Sequence, residues 1–243
     1  MKPLWRALTQ TRPDDSLQQA VVAAGGVLDE ADLIVRHNRQ IEAIRHDWAA
    51  AGPLDWVVVT SPYTVEVLAS HLAAWLPRRT RLAAVGAATA AALTGIGLPP
   101  DLVPTSGPAG GVGLAAVFPP GTGKVLLPGA ATTAGTLEPG LAELGWQVVA
   151  LPVYATTPAP AVHPVIADRW AQGNYDVLVA TSGSVAEAAA SLLGPNVPVV
   201  AFGRSGAATA LRCGFPLVAQ ARSTSPDDVV HAIIRLRRKA AHG

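Results

Sequence analysis

One pattern occurs twice along this chain. Asp55-Trp56-Val57-Val58-Val59-Thr60-Ser61-Pro62 leads through an Ala/Leu-rich stretch to Leu82-Ala83-Ala84-Val85-Gly86. Further on, Tyr175-Asp176-Val177-Leu178-Val179-Ala180-Thr181-Ser182-Gly183 leads through an Ala-rich stretch to Val199-Val200-Ala201-Phe202-Gly203. Both copies continue into an Ala-rich helix, Ala87 to Leu93 or Ala207 to Leu211, that stops at Gly95 or Gly214. Each then shows a short apolar strand with hydroxyl residues behind it. These are Leu102-Val103-Pro104-Thr105-Ser106, and Leu217-Val218-Ala219 leading to Ser223-Thr224-Ser225; a closing helix follows each. A fainter pair lies outside these copies. The strand at Arg6 to Pro13, its helix and Ala24-Gly25-Gly26-Val27 echo Lys124-Val125-Leu126-Leu127-Pro128, a helix through Leu141, and Leu144 to Val149.

Each copy therefore alternates strand and helix. Short unbroken apolar runs bounded by Gly, Pro and Ser are what strands covered on both faces look like, as in a parallel sheet. Their alternation with helices of about ten residues implies right-handed crossovers and doubly wound α/β domains. Two similar domains is the natural count for 243 residues. The N-terminal segment would complete one sheet together with the second copy.

The loops carry the functional signal. Ligands of parallel sheets bind beyond the carboxyl ends of the strands, where loops meet helix starts. The chain repeats one loop type there: Thr60-Ser61-Pro62, Val85-Gly86-Ala87, Thr105-Ser106-Gly107, Thr181-Ser182-Gly183-Ser184, Phe202-Gly203-Arg204-Ser205 and Ser223-Thr224-Ser225-Pro226. Each offers a hydroxyl or an accessible backbone N–H at the positive end of a helix, which suits carboxylates or phosphates. Any one such Ser or Thr is an ordinary cap. Six alike, mirrored between two domains, point to a shared anion-lined cleft.

Composition excludes several classes. Half of the residues are apolar and 14% charged, with a net charge of +1, so no strong field draws nucleic acid or an anionic membrane. The basic run Arg235 to Lys239 reads as the solvated end of a last helix. A single Cys213 excludes an internal disulfide, and six scattered histidines show no zinc-ligand spacing. No apolar run reaches the ~18 residues of a membrane helix, and Met1 to Asp15 shows no signal-peptide core. The expectation is a soluble, cytoplasmic protein.

Gly121-Thr122-Gly123-Lys124 superficially resembles a phosphate loop, but it lacks the earlier Gly, has Val125 in place of Ser/Thr and precedes a strand. It reads as a turn. Gly107 through Gly113 lacks the acidic residue of a dinucleotide site. No nucleophile elbow accompanies His71 or His163, and Asp14, Asp15, Glu66, Glu187, Asp227 and Asp228 read as surface or capping positions.

The ordered set Thr11-Arg12-Pro13, Asp55 to Pro62, Ala84-Val85-Gly86, Val125-Leu126-Leu127-Pro128 and Val153-Tyr154-Ala155-Thr156, with Thr181-Ser182 and Ala201-Phe202-Gly203, resembles the uroporphyrinogen-III synthase family over nearly the whole chain. The resemblance implies two α/β domains joined by a two-stranded extended linker. Domain 1 would span 1–36 plus 158–243 and domain 2 would span 41–149, with linkers at about 37–40 and 150–157. It implies hydroxymethylbilane, a linear tetrapyrrole bearing acetate and propionate arms, as the small-molecule substrate. The hydroxyl leaves, an azafulvene forms, and attack through the substituted carbon of the terminal ring gives a spiro intermediate. That intermediate recloses with the last ring inverted. Closure without enzyme gives the uninverted isomer, so the protein chiefly holds geometry. No metal or coenzyme is expected, nor a nucleic-acid or membrane partner, and the chain would act as a monomer.

Residue by residue, the resemblance makes Tyr154 the catalytic candidate, a phenol that donates to the departing hydroxyl. Ser61, Gly86, Thr105, Ser106, Thr181, Ser182 and Gly203 carry over as carboxylate-contacting loop positions. Arg12, Lys124 and Arg204 are the basic residues expected to join them. The chain departs from the family pattern at Gly129-Ala130-Ala131, at Gly183 and at Arg204-Ser205-Gly206. A non-catalytic tetrapyrrole-binding or regulatory relative is the alternative, and a two-domain anion-binding protein of periplasmic type is a weaker one.

Overall fold

The computed structural model describes residues 5–11, 14–105, 110–132, 135 and 137–240. In chain order the elements begin with β1 (Trp5–Gln10), α1 (Ser16–Ala23), β2 (Gly26–Ala31), β3 (Ile34–Asn38) and α2 (Ile41–Ala50). There follow β4 (Trp56–Val59), α3 (Pro62–Leu68), α4 (Leu72–Trp75), β5 (Arg81–Ala84), α5 (Ala87–Gly95) and α6 (Gly111–Val117). Next come β6 (Lys124–Ala130), α7 (Leu137–Glu143), β7 (Gln147–Pro158), α8 (Pro164–Ala171) and β8 (Val177–Ala180). The chain closes with α9 (Gly183–Leu193), β9 (Val199–Phe202), α10 (Gly203–Arg212), β10 (Val218–Ala221) and α11 (Pro226–Ala240). They form two compact units, one of Met1–Val35 with Thr157–Gly243 and one of Arg36–Thr156.

In the first unit the strand order is β10-β9-β8-β1-β2, and neighbouring strands run parallel throughout. Counted along the unit's own chain, this is the 2-1-3-4-5 order of a doubly wound sheet. Strand β8 reads Val-Leu-Val-Ala and is buried at all four positions, because helices cover both faces. Leu8, Leu178, Ala180, Val199 and Ala201 face α8, α9 and α10. Their alternates Ala7, Val177, Val179 and Val200 face α1 and α11. The helix face changes between β1 and β8.

The second unit has the order β3-β7-β6-β4-β5. Its β4, Trp-Val-Val-Val, is likewise buried throughout. Val57, Val59, Leu82, Ala84 and Leu126 pack on α2 to α5, whereas Trp56, Val58, Ala83, Val125 and Leu127 pack on α6 and α7. The strands β7-β6-β4-β5 repeat β2-β1-β8-β9 of the first unit, but the chain visits the last pair first. The two halves of the sequence repeat are thus permuted relative to each other. The expected strand at Leu102–Ser106 reduces to one bridge, Ala83 to Leu102. Pro104 removes a donor just beyond it, which stops a ladder from growing. Its counterpart β10 has no proline and pairs over its full length with β9.

The chain crosses between the units twice, in β3 and in β7. Arg39 donates its N–H to Val153 and Ala159 donates to Leu33, both at 2.9 Å. One strand advances as the other retreats, so this pair runs antiparallel and is an exception to the parallel pattern.

Several polar groups missed by sequence reading hold the amino-terminal edges of the sheets. Asp29 on β2 accepts from Arg6 at 2.8 Å, Arg169 at 3.0 Å and the Tyr175 hydroxyl at 2.7 Å. Burial, and then the Asp29 carboxylate, push the Tyr175 phenol far above its ordinary value. Arg237 belongs to the terminal basic run, yet it reaches Asp176 at 3.3 Å and lies over the Trp5 ring at 5.7 Å. It is not merely solvated. The Gly121–Lys124 turn is structural, as read from the sequence: Asp55 accepts from the Lys124 N–H at 2.9 Å, and Trp146 donates to the Pro119 carbonyl at 2.7 Å.

Gly26 lies under Trp5, and a Cβ there would sit 2.5 Å from the indole. Gly26→Ala is expected to destabilise the protein by about 1–3 kcal/mol through overpacking, read as a lower urea midpoint. An unchanged midpoint contradicts the packing. A second expectation concerns alkaline pH. The folded phenol of Tyr175 is raised above its unfolded value of about 10, so its stabilising contribution is complete below that pH and is lost as pH rises through the folded value. Tyr175→Phe should therefore lose stability less steeply than the native chain above pH ~10 in denaturant titrations.

Candidate active site

Parallel strands place all their carboxyl ends along one edge of each sheet, and the helix starts gather there. In such a sheet the crevice opens where the helices change face. In the second unit that point lies between β6 and β4, and in the first between β1 and β8. The loops leaving β4 and β8 are the repeated Thr-Ser pairs. Ser61 caps α3, its Oγ accepting from the Tyr63 N–H at 3.2 Å, and Ser182 caps α9, accepting from the Val185 N–H at 3.3 Å. Both oxygens serve their own helices, so the hydroxyl proton is what each serine can offer a ligand. Thr181 precedes Ser182 at the end of β8. Across the switch point of the second unit, a Cβ on Gly129 would lie 3.5 Å from the Thr60 hydroxyl, so a small residue keeps that approach open.

One strand further out, Gly86 caps α5 with extended backbone, and nothing lies within 4 Å of where its Cβ would be. Its counterpart Gly203 opens α10 at φ 73, a left-handed conformation that favours glycine, and it too faces open space. Arg204 follows it, exposed. Thr105 is exposed just past the Leu102 bridge. Arg12 and Ser106 lie outside the described residues.

Lys124 does not join this group. It begins β6 and thus lies at the amino edge of the sheet, opposite the helix starts. Its ammonium donates to the Ala51 carbonyl, which ties the β6 entrance to the end of α2. Its charge suggested a carboxylate contact, but the direction of the strand it begins sets it apart.

Tyr154 lies on β7 opposite Ala130, at the carboxyl end of β6, where the register shifts. The residue is 7% exposed and belongs to the core of the second unit. Tyr63 meets its ring edge-on at 4.8 Å and 89°. Tyr63 in turn donates its hydroxyl to Asn38 Oδ1 at 2.9 Å and carries the Arg36 guanidinium over its face at 4.6 Å. Among the described residues the Tyr154 hydroxyl has no hydrogen-bond partner. The side chains with wholly buried, unpartnered polar atoms among the described residues are Thr64 and Trp170, so the Tyr154 oxygen is not wholly shut off from solvent. A clamped ring with a reachable phenol is the arrangement a proton donor needs. Tyr63, Arg36 and Asn38 were missed in sequence. Tyr63 could have been found from its place immediately after the Ser61-Pro62 helix start.

A family model, uroporphyrinogen-III synthase HemD, matches residues 15–231. The chain belongs to the uroporphyrinogen-III synthase family. Its activity is that of a uroporphyrinogen-III synthase, a hydro-lyase of tetrapyrrole biosynthesis. Among solved structures, a mutant uroporphyrinogen III synthase of the extreme thermophile Thermus thermophilus is similar at a TM-score of 0.65 and 20% identity, covering 97% of this chain and 99% of that one. The uroporphyrinogen-III synthetase of Helicobacter pylori is similar at 0.57 and 15% identity, covering 96% and 100%. These likenesses show the fold. No curated protein matches the sequence. No helix among the described residues is long and apolar enough to cross a membrane.

Removing either capping hydroxyl, Ser61→Ala or Ser182→Ala, is expected to cost about 1 kcal/mol of stability, with the loss confined to the unit that holds it. Hydrogen exchange in α3 and α9 measures this, and equal protection in native and variant chains contradicts it.

Proposed function

We propose that the enzyme acts on hydroxymethylbilane as a cytoplasmic monomer, with Tyr154 as the proton donor and the carboxyl-edge loops as carboxylate contacts. The observation that carries this reading is the Tyr154 phenol, whose ring is packed and whose oxygen is not wholly shut off from solvent. A phenol is a weak acid. It suits a leaving hydroxyl that needs a proton only as the C–O bond breaks. The hydroxyl departs as water, and the adjoining pyrrole supplies the electron pair that makes the azafulvene. Attack by the terminal ring through its substituted carbon forms the spiro bond. The older methylene bond at that carbon then breaks, leaving an azafulvene on the neighbouring ring. Its methylene is attacked by the free α-carbon of the terminal ring, which is thereby inverted. The proton released as the last ring regains aromaticity matches the one lent by the phenol, so the net loss is one water.

Selecting the inverted isomer is a matter of holding the chain ends in one arrangement. Ser61, Thr181 and Ser182 offer hydroxyl protons, and Gly86 and Gly203 offer unobstructed backbone at helix starts. Arg204 and Thr105 lie on the same edges, and Arg12 and Ser106 complete the reading. Carboxylates at such positions gain from both the N–H donors and the helix dipole.

Supplying hydroxymethylbilane should yield uroporphyrinogen III, and product of isomer I alone would leave a binding protein. Tyr154→Phe should lower kcat by about a hundredfold with little change in KM. Unchanged turnover would remove Tyr154 from the chemistry.

A further inference from the structure

Of two arginines on the stretch that runs beside Tyr154, one has its guanidinium bonded into the fold and the other has not. Arg39, on the same stretch, donates to Asp47 at 2.9 Å and to the Pro152 carbonyl at 2.8 Å, so its charge is spent on the fold. Arg45 lies beside Glu42 at 3.7 Å. Arg36, by contrast, is exposed, and its one contact among the described residues is with the face of Tyr63. That ring is itself fixed twice, by the hydroxyl bond to Asn38 and by its edge contact with Tyr154.

We propose that Arg36, seated on Tyr63, is a carboxylate-binding residue that orients one acetate or propionate arm of the substrate relative to the Tyr154 phenol. A guanidinium lying over an aromatic face is attracted by the ring and loses much of its rotamer freedom. Its N–H groups lie in the guanidinium plane and form a fork matched to a carboxylate. The ring contact leaves that fork available, and no acid among the described residues occupies it. Arg36 Cζ and the Tyr154 ring lie respectively 4.6 Å and 4.8 Å from the same Tyr63 centroid, so the charge and the phenol are held by one shared ring. A carboxylate captured there places the attached pyrrole close to the proton donor. The proposal rests on the reading of Tyr154 as that donor for its purpose, though not for the binding itself.

Steady-state kinetics on hydroxymethylbilane test it. Arg36→Gln should raise KM about tenfold with kcat within about twofold of the native value, the loss expected for one exposed charge-assisted contact. Arg36→Lys should recover only part, because an ammonium lacks the fork. The control Arg45→Gln should leave KM unmoved. If Tyr154→Phe leaves turnover intact while Arg36→Gln still raises KM, the donor role falls and the carboxylate site stands. If Tyr154→Phe is slow while Arg36→Gln keeps the native KM, the carboxylate site falls and the donor role stands. An equal rise in KM for Arg45→Gln, or a fall in kcat without a rise in KM for Arg36→Gln, also overturns it.

Discussion

Burial of short strands on both faces is the constraint from which the rest follows. A strand such as Val177 to Ala180 can lose both its faces to solvent-free contacts only if helices lie above and below the sheet. Helices reach those places through crossovers, and crossovers keep the strands parallel. Parallel strands then put every carboxyl end, and therefore every helix start, along one edge. The loops at that edge acquire hydroxyls and open glycine backbone because they begin helices, and the same groups suit a polycarboxylate. The site chemistry is a by-product of the packing solution.

The permuted second unit shows that the physics depends on neighbours in space and not on chain order. Its sheet places β4 beside β6 as the first unit places β8 beside β1, although the chain meets the equivalent strands in a different sequence. The face switch falls at the same junction in each. In the second unit this junction also receives Tyr154, through the register shift at Gly129 and Ala130 that carries β7 past the end of β6.

Much of the candidate site was legible because caps have local signatures. Ser61 before Pro62, and Ser182 before a helical run, bond to amides two or three residues away, and such bonds are written in neighbouring letters. Lys124 was grouped with the carboxylate contacts as a basic residue, while its position depends on which way β6 runs, and it begins that strand. Tyr63 was overlooked because its ring meets Tyr154 on β7, far along the chain, and Asn38 and Arg36 because they reach that same Tyr63 from β3; no local pattern encodes such contacts. Asp29 looked like an ordinary strand residue, yet it gathers Arg6, Arg169 and Tyr175 from three separate parts of the chain.

The sequence by itself determined the alternation of elements, the duplicated α/β pattern and the identity of the helix-start residues. Those properties come from periodicity, from the dihedral limits of Gly and Pro, and from hydrogen bonds within a turn, all short-range. Only the tertiary structure decided that Leu102 would bridge and not build a strand, that β3 would pair antiparallel, and that Tyr154 would be clamped by Tyr63 with its hydroxyl left without a hydrogen-bond partner among the described residues. These outcomes turn on which distant surfaces compete for the same contact. That competition is settled by packing of the whole unit, and no window of the chain contains it.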